Sequence, residues 1–255
     1  GDGVTGFTVG DRVAYGISNG QGSYAELKPV PAWHLFQIPD AVDFMTAGAV
    51  MQQGMTAHYL SNSVFPLEKS HTALVHAAAG GTGLLLVQMA KRRGATVIGT
   101  VSTAEKAALV SEAGADEVIV TGEQDFLAAV RDLTDHQGVD VVFDSVGLDT
   151  FERSLDCLAP KGAMVLYGQS SGPVPPMDTA VLNAKGSLSL WRPSLTHYVA
   201  DRHDVQQRAG DIFRWIESGD LAVTIGGSFS LAEAADAHRL LASRASTGKL
   251  VLKPA

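Results

Sequence analysis

The sequence predicts an α/β protein in which a doubly wound parallel sheet, covered by helices, is inserted between two β-rich ends of the chain. Three observations support this fold class. From Thr72 onward, apolar runs of strand length alternate with amphipathic helical segments. The strand segments are continuously apolar, as in a parallel sheet covered on both faces. A glycine-rich turn joins the first of these strands to its helix, as in nucleotide-binding α/β sheets.

The first forty residues predict short strands. The segments "RVAYG" and "GSYAELKPV" alternate apolar and polar residues, and "SNGQG" between them predicts a turn. From about Ala41 the spacing becomes helical, and Asp43 stands where a helix N-cap is expected.

The central series consists of five strands and four helices. In chain order, the segments are "TALVHA", "TGLLLVQMAKRRG", "ATVIGTV", "TAEKAALVSEAG", "EVIV", "QDFLAAVRDLTD", "VDVVFDSV", "DTFERSLDCLAP" and "GAMVLYG". The helical segments carry apolar residues three or four apart and end near Gly or Pro. Strand–helix repetition predicts parallel pairing through right-handed crossovers, and so a doubly wound sheet.

The remaining residues predict a further strand and a return to β structure. A proline-rich loop precedes the strand "SLSLWRP", the segment "HYVADRHDVQQRAGDIFRWIESGDL" predicts one long helix, and strands surround a last helix, "LAEAADAHRLLASRAS". We therefore predict a β-rich domain from residues 1–45 and 222–255, with a nucleotide-binding domain from residues 46–221 inserted between them.

Composition excludes several classes of function. The net charge of −8 disfavours non-specific binding to nucleic acid or to an anionic membrane. Cys157 is the single cysteine, which rules out an intramolecular disulfide and indicates a reducing compartment, most simply the cytoplasm. The sequence has no apolar run of about 18 residues or more, so no membrane helix is expected. It begins without Met in what reads as the middle of a β-rich domain, so we expect residues before Gly1.

The glycine-rich turn predicts a dinucleotide site. Aligned to G-x-G-x-x-G, it places Ala78, Gly80 and Gly83 at the three glycine positions. The backbone N–H groups at the helix start would face a pyrophosphate, where the helix dipole favours anions. The alternative is a tight strand–helix turn without a ligand. The binding residues predicted here are Ala79, Gly80, Gly81, Thr82 and Gly83.

The end of the second strand indicates which dinucleotide is bound. NAD-binding folds place Asp or Glu there to hold the ribose hydroxyls. Here Val101 occupies that position, with Ser102 and Thr103 after it and Lys106 one turn further on. Hydroxyls and an ammonium group suit a 2′-phosphate, which favours NADPH. The alternative is that Lys106 is a solvated helix residue and Ser102 an N-cap.

Small polar residues at other strand ends predict the nicotinamide half of the site. Ligands of open α/β sheets lie across the carboxyl ends of the strands. "DSVG" and "YGQSSG" follow two such strands, and ordinary turn chemistry is the alternative reading. The candidates at strand ends are Thr100, Ser145, Val146, Gly147, Gly168, Gln169 and Ser170.

No catalytic side chain and no metal site is readable. The eight histidines show no paired ligand spacing, and Cys157 falls on a predicted amphipathic helix, where packing is its expected role. His58 and Tyr59 lie near the proposed cleft, but helical spacing favours packing for both. No Ser/His/Asp set and no Tyr-x-x-x-Lys couple occurs. We therefore expect chemistry that relies on a cofactor's hydride, without a metal.

Five segments carry a resemblance to a known family. They are "FTVGDRVAYG", "QQGMTAHYL", "HAAAGGTGLLLVQMAKRRGATVIGTVSTAEK", "DSVGLDTFERSLDCL" and "SLSLWRPSL". They resemble the quinone oxidoreductase, or zeta-crystallin-like, branch of the zinc-free medium-chain dehydrogenase/reductases, and the resemblance covers essentially the whole chain. It implies a GroES-like barrel split around a Rossmann domain, and NADPH-dependent reduction of quinones or other α,β-unsaturated carbonyls.

The resemblance also implies roles for individual residues. It assigns a nicotinamide contact to Thr56, 2′-phosphate contacts to Ser102, Lys106 and Arg244, and a place near the cofactor to Arg192. Thr121 stands where the family often has a tyrosine that supports the 2′-phosphate. Early barrel strands of the family, and a loop that touches the nicotinamide, are expected to be missing before Gly1.

The resemblance leaves partner and substrate alternatives open. It implies a homodimer formed by edge pairing of the strand near residues 187–193. A 2-alkenal or enoyl-thioester reductase on the same scaffold is an alternative to quinone reduction. A cofactor-binding protein with little turnover, either crystallin-like or a binder of AU-rich RNA, is another, and the charge of −8 argues mildly against RNA.

Overall fold

The computed structural model describes residues 1–17 and 22–254. The predicted turn "SNGQG" therefore lies, except for Gly22, outside the described residues. The described helices and strands are, in chain order, β1 (Val13–Ala14), β2 (Phe36–Gln37), α1 (Phe44–Tyr59), β3 (Thr72–Val75), α2 (Gly81–Arg92), β4 (Thr96–Val101), α3 (Ala104–Glu112), β5 (Glu117–Val120), α4 (Phe126–Leu133), β6 (Val139–Asp144), α5 (Phe151–Leu155), β7 (Leu158–Leu166), α6 (Ala180–Ala184), β8 (Ser189–Trp191), α7 (Leu195–Tyr198), α8 (Arg202–Glu217), β9 (Ile225–Ser230), α9 (Ala234–Ala242) and β10 (Lys249–Lys253).

The chain divides into two compact units. One is the sheet unit, Ala57–Ser194, and the other is the terminal unit, Gly1–Thr56 with Leu195–Ala255. The predicted domain limits at 45/46 and 221/222 differ from these unit limits. Part of the difference is that α8 is tied to the terminal unit, where the Gln206 side chain donates a hydrogen bond to the carbonyl of Leu35 over 3.0 Å. The domain limits stay a prediction.

The sheet unit has the predicted doubly wound α/β architecture. Its six strands are all parallel, in the order β5-β4-β3-β6-β7-β8. The chain starts at β3, moves outward to β5, and then returns to the other side of β3 with β6. The strand order thus reverses between β3 and β6. In open α/β sheets, ligands bind at the carboxyl ends of the strands that flank such a reversal.

The core of the sheet unit follows from the apolar runs in the sequence. Leu74, Val142 and Met164 on neighbouring strands are fully buried, and Val130 of α4 and Leu155 of α5 pack on the same cluster. Replacing a large buried side chain such as Leu74 with Ala is expected to lower the free energy of unfolding by about 2–5 kcal/mol. This packing holds the strand ends in fixed positions.

The helix predicted from "DTFERSLDCLAP" is shorter than expected. Helix α5 ends at Leu155, and β7 begins at Leu158, which pairs with Val139 of β6. The carbonyl of Cys157 accepts the N–H of Val139 over 2.8 Å. Pairing with β6 therefore replaces the last helical turn that the apolar spacing predicts, and the helical placement of Cys157 is wrong.

The thiol of Cys157 should be chemically inert in the folded protein. The residue is fully buried, and burial raises its pKa to about 12. Since the thiolate is the reactive form, we expect labelling by a thiol reagent at neutral pH to be at least about 100-fold slower than that of a free cysteine. Labelling in urea should go to completion. Rapid labelling of the native protein would contradict this burial.

The terminal unit contains two small sheets and three of the longer helices. Strands β1 and β2 pair antiparallel, and β9 and β10 pair parallel. The strand predicted from "GSYAELKPV" is wrong, because described residues 22–30 form no strand. A pattern of alternating residues becomes a strand only where another strand accepts its hydrogen bonds, and among the described residues β1 pairs with β2 instead.

Two caps fix helices of the terminal unit. Asp43 caps α1, since its carboxylate accepts the N–H of Thr46 over 2.9 Å, as predicted. The single long helix predicted from His197 is interrupted: α7 ends at Tyr198, and α8 begins after Asp201, whose carboxylate accepts the N–H of Asp204 over 2.9 Å. An N-cap aspartate starts a new helix because it satisfies a free N–H group there.

None of the helices in the described part of the chain combines the length and the apolar character needed to cross a bilayer.

Candidate functional site

The glycine-rich loop lies at the reversal of strand order. It leaves β3 through Ala77, which has a left-handed φ of +50°, and Gly80 then caps α2 with an extended backbone. The N–H of Gly80 turns inward, donating to the carbonyl of Ala77 over 3.0 Å. The N–H groups of residues 81–83 open the helix and have no intrahelical partners, so they are available to an anion.

The glycines of this loop are required by close backbone approaches. A Cβ atom at Gly83 would lie 2.6 Å from the carbonyl oxygens of both Ala77 and Ala78. A Cβ atom at Gly80 would lie 3.2 Å from the Ala77 oxygen. The loop is also tied to the next strand, since the N–H of Ala78 donates to the carbonyl of Thr100 over 3.0 Å. The loop thus has the close backbone approaches that the glycine spacing predicts, and its binding of a pyrophosphate stays a prediction.

The end of β4 presents the residues predicted to hold a 2′-phosphate. Ser102 and Thr103 are exposed, and Lys106 is half-buried in the first turn of α3. The N-cap of α3 is Thr103, so the alternative reading of Ser102 as the cap is wrong. Ser102 is exposed and directly precedes this cap residue.

Sequence reasoning overlooked a carboxylate in the same turn. Glu105 is exposed at the start of α3, and hydrogen bonds from its own N–H and from the Thr103 hydroxyl lower the pKa of its carboxyl. The carboxylate is ionised at neutral pH. Val101 therefore leaves the end of β4 without a carboxylate, but the following turn of α3 carries one. Its partner Thr103 keeps the carboxylate occupied, a relation that could have been recognised from the short spacing between them.

Thr121 contributes differently from the tyrosine that the family resemblance leads one to expect. Its N–H donates to the carbonyl of Val101 over 2.8 Å, and its hydroxyl donates to the same oxygen over 3.0 Å. The single hydroxyl proton is thereby used. A phosphate can only accept hydrogen bonds at neutral pH, so this threonine supports the end of β4 and would have to rotate to contact a phosphate.

The loops after β6 and β7 form one interlocked structure. A Cβ atom at Gly168 would lie 2.6 Å from the Ser145 carbonyl oxygen, and one at Gly147 would lie 2.8 Å from that of Gly172. The N–H of Ser170 donates to the Ser145 carbonyl over 3.1 Å. The structure thus brings together the predicted residues Ser145, Val146, Gly147, Gly168, Gln169 and Ser170.

The buried carboxylate of Asp144 holds the first of these loops. It accepts the N–H of Val146 over 2.6 Å and that of Gly147 over 3.1 Å. The hydroxyl of Thr150 donates to its second oxygen over 2.7 Å. Three hydrogen bonds to one ionisable group define the turn, and sequence reasoning did not assign Asp144 this function.

Tyr167 is another residue that sequence reasoning missed. Burial raises the pKa of its phenol, although a hydrogen bond with the Ser145 side chain opposes the shift. The phenol is therefore protonated at all pH values at which the protein is handled. Its hydroxyl fixes the Ser145 side chain, which is itself a predicted contact of the nicotinamide half.

Arg192 joins the same group of loops, and its place near a cofactor stays a prediction. One guanidinium nitrogen donates to the carbonyl of Leu166 over 3.2 Å, and another lies 3.4 Å from the side-chain oxygen of Gln169. The side chain is exposed, so its charge remains available at the carboxyl end of β7.

Thr56 and Arg244 lie in the terminal unit. The hydroxyl of Thr56 donates to the carbonyl of Gln52 over 2.8 Å within α1, and Arg244 is exposed after α9 with a φ of +60°. Their contacts with a cofactor stay predictions. His58 and Tyr59 are buried at the end of α1, as expected for packing residues.

His76 is a buried polar residue at the base of the glycine-rich loop. Its Nδ1 lies 2.9 Å from the Thr100 hydroxyl, and its Nε2 lies 2.9 Å from the Ser154 hydroxyl. The ring also meets Phe126 edge-on, with the ring centres 5.0 Å apart. Burial lowers the pKa of the imidazole, and the charge of Asp144 opposes this shift only in part.

This environment predicts a loss of stability in mild acid. In the unfolded chain, His76 takes up a proton as the pH falls through its usual pKa of 6.5, whereas in the folded protein its pKa is lower. The contribution of the neutral His76 imidazole to the free energy of unfolding is complete above pH 6.5 and decreases as the pH falls below 6.5. The loss is about 1.4 kcal/mol per pH unit until the folded-state pKa is reached. Urea unfolding of the wild type and of His76→Asn should diverge in slope between about pH 7 and about pH 5.5. Parallel pH profiles would contradict the assignment.

Among the residues that the structure describes, one group of three or more candidate metal ligands lies close together. It consists of Asp201, His203 and Asp204. Two of these residues are exposed, and the Asp201 carboxylate is already engaged as the cap of α8. The set lacks the cysteine and paired histidine ligands typical of zinc sites. The residues that the structure describes therefore do not fit a zinc centre.

Comparisons with known families and proteins agree with this geometry. A family model described as zinc-binding dehydrogenase matches residues 81–210. A Pseudomonas aeruginosa protein named quinone oxidoreductase is 45% identical over 251 residues, covering 98% of this chain and 77% of the relative. A Burkholderia protein named 2-haloacrylate reductase is 40% identical over 257 residues, covering 100% of this chain and 77% of the relative.

Solved structures show the same similarity. The Escherichia coli quinone oxidoreductase complexed with NADPH has a TM-score of 0.97 at 40% identity, covering 100% of this chain and 78% of that one. A mycobacterial protein, also complexed with NADPH, has a TM-score of 0.94 at 44% identity, covering 100% of this chain and 79% of that one.

Proposed function

The chain belongs to the quinone oxidoreductase family, and on this premise we propose that it is an oxidoreductase that reduces quinones with NADPH as the hydride donor. One observation carries the proposal. A glycine cradle of the dinucleotide-binding type lies at the reversal of strand order, in a chain that is similar over 98% of its length to a quinone oxidoreductase.

The residues that would hold NADPH fall into three groups. The N–H groups of residues 81–83 suit the pyrophosphate, and Ser102 with Lys106 suits the 2′-phosphate. The loops after β6 and β7 suit the nicotinamide half. The proposed cofactor contacts are Thr56, Ala79, Gly80, Gly81, Thr82, Gly83, Ser102, Lys106, Ser145, Val146, Gly147, Gly168, Gln169, Ser170, Arg192 and Arg244, with Thr100 and Thr121 acting through their support of the end of β4. When bound, NADPH supplies the hydride.

The chain's own groups orient the reactants, and we propose none of them as a ligand of a catalytic metal. Asp144 fixes the turn before Gly147, and Tyr167 fixes the side chain of Ser145. Backbone N–H groups and solvent would stabilise the negative charge that develops on the acceptor oxygen. We propose a zinc-independent reaction, because the described residues do not fit a zinc centre and the cofactor provides the reducing equivalents.

A second candidate is reduction of activated alkenes. It is favoured by the 40% identity to a 2-haloacrylate reductase over the whole of this chain. The cofactor contacts serve both reactions equally, so only the acceptor separates them.

Steady-state oxidation of NADPH tests the proposed reaction. We expect a naphthoquinone to give a kcat/KM at least about tenfold above that of a 2-haloacrylate, a 2-alkenal or an enoyl thioester, a ratio that corresponds to 1.4 kcal/mol in transition-state binding. A preference for an alkene would establish the second candidate. No turnover with any acceptor, in a chain that binds NADPH, would refute both.

We also propose a homodimer that pairs through β8. This strand forms one edge of the sheet, and Leu190 and Trp191 are 40% and 45% exposed. An edge strand with exposed apolar side chains is a site for pairing with a second copy. The single buried thiol also favours a cytoplasmic location for the protein.

The dimer proposal predicts a change of oligomeric state in Leu190→Lys. Two lysines brought together at a two-fold edge would repel each other, so this variant should be a monomer at micromolar concentration. Leu133→Lys provides the matched control, because Leu133 is a leucine with 45% exposure at the end of α4, which packs against β5 at the opposite edge of the sheet from β8. Light scattering should show a dimer for the wild type and for this control. A monomeric wild type would refute the proposal.

A further inference from the structure

The hydrogen bonds around His76 indicate which of its two ring nitrogens carries the proton. The Ser154 hydroxyl donates its single proton to the carbonyl of Thr150 over 2.8 Å. With its proton placed there, the hydroxyl accepts from His76, and this assigns the ring proton to Nε2. In a neutral ring the unprotonated Nδ1 then accepts the hydroxyl proton of Thr100. His76 thus uses its two nitrogens in opposite ways.

The Nδ1 side connects His76 to the end of β4. Thr100 is held through its hydroxyl by His76, and through its carbonyl by the N–H of Ala78 in the glycine-rich loop. Ser102, the proposed 2′-phosphate contact, follows two residues later. The Thr100 hydroxyl thus adds a second tie between this strand end and the loop, through the His76 ring.

The Nε2 side connects His76 to the turn after β6. From Ser154 the chain of hydrogen bonds runs to the backbone of Thr150, whose hydroxyl donates to Asp144. Asp144 in turn accepts the N–H groups of Val146 and Gly147. The turn proposed to contact the nicotinamide half is thus linked to His76 through buried groups.

We infer that His76 is a positioning residue for the proposed NADPH site, holding the 2′-phosphate end through Thr100 and the nicotinamide end through Ser154. This inference rests on the proposed function. The position of His76 is fixed in two ways. Its backbone N–H donates to the carbonyl of Phe143 over 3.0 Å, and Phe126 packs edge-on against its ring. Buried networks of this kind, when every member is satisfied, specify one arrangement of the groups they join.

Two substitutions separate the two sides. In His76→Asn, the side-chain oxygen stands where Nδ1 was, so the Thr100 bond is retained and the Ser154 bond is lost. In His76→Gln, the side-chain nitrogen stands where Nε2 was, so the Ser154 bond is retained and the Thr100 bond is lost. Ser154→Ala removes the bond between Ser154 and Nε2, as His76→Asn does. Thr100→Val removes the bond between Thr100 and Nδ1, as His76→Gln does.

The expected kinetic effects differ between the two pairs. His76→Asn and Ser154→Ala should lower kcat about tenfold and change the Kd for NADPH less than about twofold, because the nicotinamide end is displaced. His76→Gln and Thr100→Val should raise the Kd for NADPH about tenfold and that for NADH much less, with kcat nearly kept. Combining His76→Gln with Thr100→Val should raise the Kd for NADPH little beyond the value of either single variant, because both remove the same bond. Exposed His197→Gln serves as the control.

Stability and tautomer readouts keep the test decisive. Kinetic constants are taken per folded enzyme, with folding checked by urea unfolding. Variants that lose stability but keep the wild-type kcat and Kd would overturn the positioning role. So would equal changes in kcat and Kd from the pair that breaks the Ser154 bond and the pair that breaks the Thr100 bond. Nitrogen NMR of labelled histidine should find the proton of His76 on Nε2 in the wild type, and a proton on Nδ1 would overturn the inference. A wild type that neither binds NADPH nor reduces quinone would instead refute the proposed function, while the NMR result would be unaffected.

Discussion

Gly83→Ala should lower the affinity for NADPH at least about 100-fold, because the added methyl group has no room in the cradle. The Cβ would lie 2.6 Å from the carbonyl oxygens of Ala77 and Ala78, and both are backbone atoms that cannot rotate away. Relieving this overlap must move the helix start away from β3. The N–H groups that face the pyrophosphate then lose their alignment, and the free energy of unfolding falls by about 1–3 kcal/mol.

Titration of nicotinamide fluorescence measures this effect. Gly48→Ala is the matched control, because Gly48 is also a helical glycine but has no atom within 4 Å of its would-be Cβ. The control should bind NADPH as the wild type does and gain up to about 1 kcal/mol in stability. If Gly83→Ala does not fold, Gly80→Ala provides a milder case, with its Cβ 3.2 Å from the Ala77 oxygen. Wild-type affinity in both loop variants would contradict the assignment of the cradle.

Ser102→Asp should reverse the preference between NADPH and NADH. The new carboxylate would face the 2′-phosphate with like charge, and it could accept hydrogen bonds from the ribose hydroxyls of NADH. Two unit charges a few ångströms apart near a protein surface repel by a few kcal/mol, so after screening we expect about 30-fold weaker binding of NADPH. The affinity for NADH should stay the same or rise.

The control for net charge is Ser111→Asp, which adds the same charge to an exposed position at the other end of α3. It should leave the ratio of the two affinities unchanged. The NADPH effect of Ser102→Asp should shrink with added salt, since it arises from repulsion between partly exposed charges. Equal changes in the two affinities would show that Ser102 does not face the 2′-phosphate.

The sheet could be predicted from the sequence because its strands satisfy a simple physical condition. Continuous apolar runs such as "TALV" and "VDVVFD" have no polar face to solvate, so they must be buried between helices. The helix predicted through Cys157 failed where tertiary pairing competed with local spacing. Leu158 pairs with β6, and that pairing depends on residues far away in the chain.

The sequence predicted those parts of the candidate site that lie in one continuous segment. It did not predict those parts that come from residues far apart in the chain. The glycines and Ser102 lie within one strand–turn–helix–strand segment, so their spacing was enough. His76 depends on Ser154, which is 78 residues away, and Tyr167 depends on Ser145 of another strand end. Such partners come together only after the strands have paired, and no single sequence records which ones will.

We propose that this chain is an NADPH-dependent enzyme whose cofactor binds at the glycine cradle. Parallel titration of the wild type with NADPH and NADH, followed by nicotinamide fluorescence, tests it most directly. We expect NADPH to bind at least about tenfold more tightly, a difference of 1.4 kcal/mol that Ser102 and Lys106 can supply through hydrogen bonds and charge. Tighter binding of NADH, or no binding of either dinucleotide, would refute this proposal.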